Sequence, residues 1–376
     1  MDFNQEQQAM VETVRKISID KIAPRAAEID ENEEYPKDLE EILREQGVLK
    51  LLVPEQYGGL GGDIITACLV VEEINKVSPA VSQIAYVCYA TTLLMLNADE
   101  LQKGKYLTKM ADNKLMSLCL TEPHAGSDSA GIRSKAVLNG RHYIVNGTKC
   151  FITQGAVVDY HFAFAVTGPG QGSKGISAFI VEKGFPGVSV GKDEKKMGMR
   201  GISAAEIIFD NASVPVENRV GTEGEAFKVL MKTFDRIRPL IAAQALGIAE
   251  GAYKYALEYS KTRFAFGQPI SQFQGVQFKL ADMVTSIEAA RGLVYEAAQL
   301  IDKGVEDVTT PVSMAKYFAS EVAMKVTTDA VQILGGYGYM RDHSVERFMR
   351  DAKCTQIIEG TSEIQKMIIA RKILES

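Results

Sequence analysis

Residues 118–225 interrupt an otherwise helical sequence, and this limits the folds open to the chain more than any other feature. Glycines become frequent there, and short apolar runs appear at 136–138, 142–145, 162–166, 176–181 and 206–209. Asn139-Gly140, Asn146-Gly147 and Asp210-Asn211 stand between them as turn signals. Short runs rich in β-branched and aromatic residues, bounded by Asn and Gly, predict an antiparallel β domain of sandwich or barrel type.

The flanking regions follow a different period. Residues 2–29 carry apolar side chains at helical spacing, and 36–46 form a second amphipathic stretch that Gly47 should stop. Gly58-Gly59-Leu60-Gly61-Gly62 reads as a turn, with helical patterning again over 64–77 and 81–96. Beyond 225, residues 242–260, 274–303 and 310–334 are rich in Ala, Leu, Glu and Lys and suit a packed bundle. The expected fold class is α+β: an N-terminal helical domain over 1–117, a β domain over 118–225 and a four-helix-bundle domain over 226–376.

Composition excludes several function classes. A net charge of −6 provides no global basic field for nucleic acid. No apolar run approaches the roughly 18–20 residues that span a bilayer, and Met1-Asp2-Phe3-Asn4-Gln5 does not read as a signal peptide. The five cysteines are scattered without a CxxC, which suits reduced thiols in the cytoplasm. Gly170-Gln171-Gly172-Ser173-Lys174-Gly175 matches GxGxxG but precedes a strand-like run, so it reads as a hairpin loop and not a dinucleotide fingerprint. The four histidines lack metal-ligand spacing, and no metal is expected.

Two segments carry chemical interest. Leu120-Thr121-Glu122-Pro123-His124-Ala125-Gly126-Ser127-Asp128 is a polar loop that could face a planar heterocycle or simply link domains. In Ile358-Glu359-Gly360-Thr361-Ser362-Glu363-Ile364-Gln365, Ser362 and Gln365 form a capping-box pattern, so a helix should start just after Glu359. That puts Glu359 on a loop before a helix N-terminus, as a solvated cap residue or as part of a site.

Together with 143–153, 196–201, 262–274 and 332–338, these two segments resemble the signatures of the acyl-CoA dehydrogenase family, in order and across essentially the whole chain. The resemblance implies an FAD flavoprotein. Leu120, Thr121, Phe151 and Thr153 would face the flavin, with Phe151 where many relatives carry Trp. Arg263, Gln274, Gln332, Leu334, Gly335 and Gly336 would hold the pyrophosphate and adenosine, partly across a subunit boundary in an expected homotetramer. Thr361 and Glu363 would also touch FAD, while Ser127, Asp235, Arg238 and Gly360 would contact the acyl-CoA. Asp235 and Arg238 are three apart and would share a helix face, as a substrate contact or as a surface ion pair.

The activity so implied is α,β-dehydrogenation of an acyl-CoA. Glu359 would take the α-proton, its pKa raised by burial, the flavin N5 would accept the β-hydride, and an electron-transfer flavoprotein would take the electrons. An enoyl-CoA reductase running the reverse reaction fits the same motifs. An acyl-CoA oxidase is less expected, because such oxidases carry a long further C-terminal domain. Tyr86 and Tyr89, three apart on one face of an expected helix, would either shorten the acyl pocket and favour a compact acyl group or point into the helix bundle instead.

Overall fold

The computed structural model describes residues 3–85, 88–112 and 114–375. Seven α-helices come first among the described residues: α1 (Gln5–Ile17), α2 (Ala26–Asn32), α3 (Lys37–Glu45), α4 (Ile64–Asn75), α5 (Pro79–Ala85), α6 (Cys88–Asn97) and α7 (Glu100–Ala111). The single helix expected over 2–29 is broken. A π-turn at Ser18–Ile22 and a 3-10 turn at Ala23–Arg25 separate α1 from α2. Pro24 explains the break, since it lacks the N–H that would bond to Asp20. Gly47 does stop α3, at φ +74°. One expectation is overturned. The stretch Pro79–Asn97 reaches the length and hydropathy of a membrane-crossing helix, yet 79% of it is buried inside the fold, as in a core helix. Tyr86 and Val87 lie outside the described residues, as does the Tyr89 side chain, and with them the expected pocket-shortening pair.

The middle of the chain forms one sheet from β1 (Met116–Cys119), β2 (Lys135–Asn139), β3 (His142–Thr153), β4 (Tyr160–Val166), β5 (Ile176–Glu182), β6 (Val188–Asp193), β7 (Ala204–Pro215) and β8 (Arg219–Val220). The order is β6-β7-β3-β2-β4-β5-β8, with β1 also paired to β4. The sheet is mixed and not purely antiparallel, because β1 pairs with β4 in parallel and β2 touches β4 the same way. Parallel neighbours need a long crossover, which the β2–β3 hairpin supplies between β1 and β4. Asn139-Gly140 turns that hairpin, with Gly140 at φ +61°. The GxGxxG segment is a loop into β5.

The other two turn signals lie inside long strands. Asn146-Gly147 sits in β3, where the register slips between Val145 and Gly147, and Asp210-Asn211 sits in β7 with Asn211 at φ +51°. They face each other as a matched bulge: the Asn211 N–H donates to the Asn146 Oδ1 at 2.8 Å. A Cβ on Gly147 would lie 2.1 Å from the Ser134 Oγ, so close approach, not a turn, requires this glycine.

Five helices complete the chain: α8 (Ala226–Thr262), α9 (Gln274–Asp302), α10 (Thr309–Leu334), α11 (Val345–Ile357) and α12 (Ser362–Glu375). A two-stranded ribbon, β9 (Phe264–Ala265) with β10 (Gln268–Pro269), joins α8 to α9. Helix α8 begins well before the expected position and runs through Pro239. One main-chain bond is lost there, and the buried residues around it hold the helix together: Ile237, Arg238, Leu240 and Ile241. The bundle is tied to the N-terminal helices by hydrogen bonds. The Ile64 and Ile65 N–H groups, at the start of α4, donate to the Asp302 carboxylate at the end of α9. Tyr295 donates to Glu72 at 2.6 Å, and Arg291 bridges Glu72 and Glu250.

Helices α4 and α8 cross closely because α8 carries Gly247 and Gly251. Added Cβ atoms at either site would lie 2.4 Å from a main-chain oxygen of α4 or its C-cap, Glu72 and Lys76 respectively. Alanine in a helix is normally about 1 kcal/mol better than glycine. At these positions the clash with backbone dominates, and overpacking costs about 1–3 kcal/mol. Gly247→Ala and Gly251→Ala should each lower the urea midpoint, and a raised midpoint would show that the helices can separate freely.

Candidate active site

Glu359 stands on the short link between α11 and α12. Ile358 caps α11 in an extended conformation, then Glu359 turns to φ +55° and Gly360 to φ +85°. A side chain at such a φ costs roughly 1–2 kcal/mol, so neighbours must hold it. They do. The Gln365 side-chain amide donates to the Glu359 and Gly360 carbonyls, each at 3.1 Å. The Lys316 ammonium on α10 donates to the Gly360 carbonyl at 2.7 Å. A Cβ on Gly360 would lie 2.7 Å from the Gln365 Nε2, so a larger residue would collide with the clamp.

The helix start is one residue from where the capping pattern placed it. Thr361 is the cap, its Oγ1 accepting from the Ile364 N–H at 3.3 Å. Ser362 instead donates to Glu321 of α10 at 2.7 Å, and Gln356 of α11 donates to the same carboxylate oxygen at 2.7 Å. Ser is ordinarily the better cap of the two, and the bond of Ser362 to Glu321 leaves the cap to Thr361.

Arg238 points into the bundle. It is buried and pairs with Asp235 at 2.8 Å, and Thr309 donates to the other Asp235 oxygen at 2.9 Å. The i,i+3 pair forms as the spacing requires, but it is not a surface pair. Burial pushes the Asp235 carboxyl up and the Arg238 guanidinium down, so desolvation weakens both partners. Glu359 offsets this for Arg238 and for Lys316, whose buried ammonium is pushed down to about 8. Two buried cations therefore share the electrostatic surroundings of Glu359. The Arg238 Nε is buried and finds no acceptor among the described residues.

A second group forms on the sheet. Leu120 and Thr121 follow β1, and the Cys150 N–H donates to the Thr121 carbonyl at 2.9 Å. The register of β3 slips between Lys149 and Ile152, which turns Phe151 outward at φ +58° and 64% exposure. Thr153 is half-buried beside it, and Ser127 is exposed on the loop beyond Glu122. Beneath this surface Lys149 and Glu122 form a buried ion pair at 2.7 Å. Lys149 also donates to the Leu120 carbonyl at 3.1 Å, and Glu122 accepts from the Arg133 and Ser134 N–H groups. Burial pushes the Glu122 carboxyl up, but Lys149 and these donors outweigh it and hold it below its ordinary value; burial pushes Lys149 down.

A third group lines a cavity of about 410 Å³ bounded by Arg263, Leu334, Gly335, Gly336 and Tyr337. The Arg263 guanidinium lies 5.4 Å from the Tyr337 ring centroid. Gly335, at φ +60°, and Gly336 have open space where a Cβ would sit, so the backbone itself is accessible. Gln274 begins α9 and Gln332 lies on the last turn of α10, both exposed, as is Glu363 in the first turn of α12. Lys316 and Leu334 are 18 residues apart on α10, about 27 Å at 1.5 Å per residue, so this cavity is remote from the Glu359 loop of the same chain.

The Glu122–Lys149 pair, Lys316 and the Gln365 clamp were not singled out from sequence. A lysine between Ala315 and Tyr317 in an apolar stretch was the available signal for Lys316.

Three family models match the chain: "Acyl-CoA dehydrogenase, N-terminal domain" over 4–114, "middle domain" over 117–212 and "C-terminal domain" over 224–374. The chain is 47% identical to an acyl-CoA dehydrogenase of Bacillus subtilis, over 100% of this chain and 99% of that one. It is 47% identical to a short-chain-specific acyl-CoA dehydrogenase of Clostridium acetobutylicum (99% and 100%). It is 45% identical to a cyclohex-1-ene-1-carbonyl-CoA dehydrogenase of Geobacter metallireducens (99% of each). Among solved structures, butyryl-CoA dehydrogenase from Megasphaera elsdenii superposes with a TM-score of 0.95 at 43% identity, covering 100% of both chains. A chain from an Acidaminococcus fermentans structure, described as an electron transferring flavoprotein studied for flavin-based electron bifurcation, gives 0.95 at 45% identity, also covering 100% of both.

Lys149→Met would leave the Glu122 carboxylate buried without its cation, and breaking such a pair costs about 3–5 kcal/mol. The single variant should unfold at markedly lower urea, and Glu122→Gln combined with Lys149→Met should recover much of the loss. Wild-type stability in the single variant would show that the pair does not hold the two loops together.

Proposed function

Because this chain belongs to the acyl-CoA dehydrogenase family, we propose that it dehydrogenates a compact acyl-CoA to the 2-enoyl-CoA, with Glu359 as the base and an electron-transfer flavoprotein as electron acceptor. The enzyme is an FAD-dependent oxidoreductase. The observation that carries the assignment of the base is the Glu359 loop. It is a carboxylate in left-handed conformation, held through its carbonyls by Gln365 and Lys316 and faced by two buried cations.

The residues present fit FAD. Phe151, turned outward by its bulge, makes an aromatic wall beside Leu120, Thr121 and Thr153. Arg263 and the open backbone at Gly335 and Gly336 suit an anionic pyrophosphate. When bound, FAD supplies the acceptor for the β-hydride. The span of α10 supports the reading that Arg263, Gln274 and Gln332 complete the site of a neighbouring subunit. Exposed Phe264, Phe266 and Phe278 beside them suit coverage by another chain. A cytoplasmic homotetramer is part of this proposal.

In the reaction the Glu359 carboxylate accepts the α-proton. Its backbone N–H is assigned to the thioester carbonyl, where a preorganised donor stabilises the developing enolate. Arg238 brings a buried Nε in need of an acceptor, which supports its assignment to the substrate side together with Asp235. Ser127 and Gly360 are assigned to the same ligand, and Thr361 and Glu363 to FAD. The compact acyl group rests on the short-chain and alicyclic specificities named for the relatives.

Mixing with acyl-CoA without oxygen and following flavin bleaching tests the assignment. Glu359→Gln should retain FAD and slow bleaching by roughly 10²- to 10⁴-fold, because an amide cannot act as the base. Near-normal bleaching by that variant would sink it.

Across a panel of straight, branched and alicyclic acyl-CoA thioesters, kcat/KM should peak at about four to six acyl carbons, since each CH₂ adds about 0.8 kcal/mol only while there is room to bury it. Efficiency still climbing at twice that length would show a deep pocket.

A further inference from the structure

We propose that Lys316 is a positioning residue for this reaction: from inside the bundle its ammonium clamps the Gly360 carbonyl and so fixes the pose in which Glu359 meets the substrate. The inference rests on the reading of Glu359 as the base. Lys316 is fully buried on α10, on the same inward face as Val312, Ala319 and Ala323. Packing alone would be served better there by an apolar side chain, because burying a charge is costly unless it is paired. Its charge faces Glu359 on the link, Cys354 on α11, Arg238 on α8 and Glu321 on its own helix. Its ammonium donates to the carbonyl of the residue that follows the base.

The local backbone explains why a clamp is needed. Two successive residues sit at positive φ, and the first carries a side chain. Gln365 reaches both carbonyls from the C-terminal side, and Lys316 reaches the second from the bundle. Without Lys316 the hydrogen bond that reaches the Gly360 carbonyl from the bundle is lost. A cation here also acts where a neutral donor would not. It offsets the charge of Glu359 before proton transfer, so its field favours the form that can act as base.

This has a consequence in pH. Burial holds the Lys316 ammonium down near 8 against the pull of Glu359. The clamp is charged below that value and loses its charge as pH rises through it. The rate of α-proton abstraction should therefore fall on the alkaline side of about pH 8.

The test uses the full-length FAD-loaded enzyme with a four-carbon acyl-CoA. Two rates are read from about pH 6 to about pH 10: anaerobic flavin bleaching, and exchange of the substrate α-hydrogen into D₂O by mass spectrometry. Lys316→Met should slow both on the order of 100-fold, the effect of a small misplacement of a reacting group, with FAD content and KM nearly unchanged and no alkaline limb. Lys316→Gln restores a donor without charge and should recover part of the rate, again without the limb. Wild-type rates in Lys316→Met overturn the proposal. So does a loss explained wholly by lost FAD or raised KM, or a limb that persists in both variants. Should neither variant fold, the wild-type profile decides, and one that is flat through the alkaline range overturns it. Glu359→Gln separates the two ideas. Normal exchange in that variant sinks the base itself, whereas a dead Glu359→Gln beside a normal Lys316→Met sinks only the role of Lys316.

Discussion

The close approach of helices around α8 is the constraint on which the rest of the structure depends. Its middle is buried all round and carries Ala242, Ala243, Ala245, Ala249 and Ala252 with Gly247 and Gly251. Small side chains let α4 come to within backbone contact and let α8 and α10 run side by side. That frame sets where Arg238, Lys316 and Glu321 lie relative to one another, because each sits on one of those two helices. The link carrying Glu359 is then fastened to α10 through Gly360 and Ser362. Glu359 is not placed by its immediate neighbours alone. It is placed by contacts that reach it from α10 and α12.

Three sets of buried charge recur where chemistry is assigned: Glu122 with Lys149, Asp235 with Arg238, and Lys316 facing Glu359. Each is a poor choice for stability, since desolvation takes back most of what the pairing contributes. The first and the last join separate segments, and Asp235 of the second also accepts from Thr309 at the start of α10. The first stitches the loop after β1 to the bulged part of β3, so that Phe151 and Thr121 present one surface. The other two meet at the Glu359 link. Such pairs are directional, and in a low-dielectric interior they resist small displacements that apolar contacts would tolerate. The same burial pushes the Lys316 ammonium down to about 8.

Much of this was legible in the order of residues. The change of texture at 118 marked where helices give way to a sheet, and the α+β class followed. Ordered motifs across the chain carried the family, and the family resemblance singled out Glu359 as the candidate base. The misreadings share a physical origin. Asn146-Gly147 and Asp210-Asn211 have the composition of turns, and each alone would form one. They became a matched bulge only because β3 and β7 are adjacent and exchange Asn146–Asn211 bonds. Ser362 carried the capping pattern, but Glu321 took its hydroxyl and left the cap to Thr361. Helix α8 starts well before the patterned stretch 242–260 and runs through Pro239, because buried residues on either side hold it together.

The sequence by itself determined the periods of its segments, the positions where only glycine or proline fits, and the reactive groups available, because these depend on residues near one another along the chain. Only the tertiary structure decided which of those groups meet. Arg238, Lys316 and Glu359 are separated by dozens of residues, and no local pattern records that their charges share one buried volume. Burial turns a surface-type i,i+3 pair into an inward-facing one and moves a lysine to about 8. It is set by the packing of whole helices, so it is a property of the folded chain and not of any stretch of its sequence.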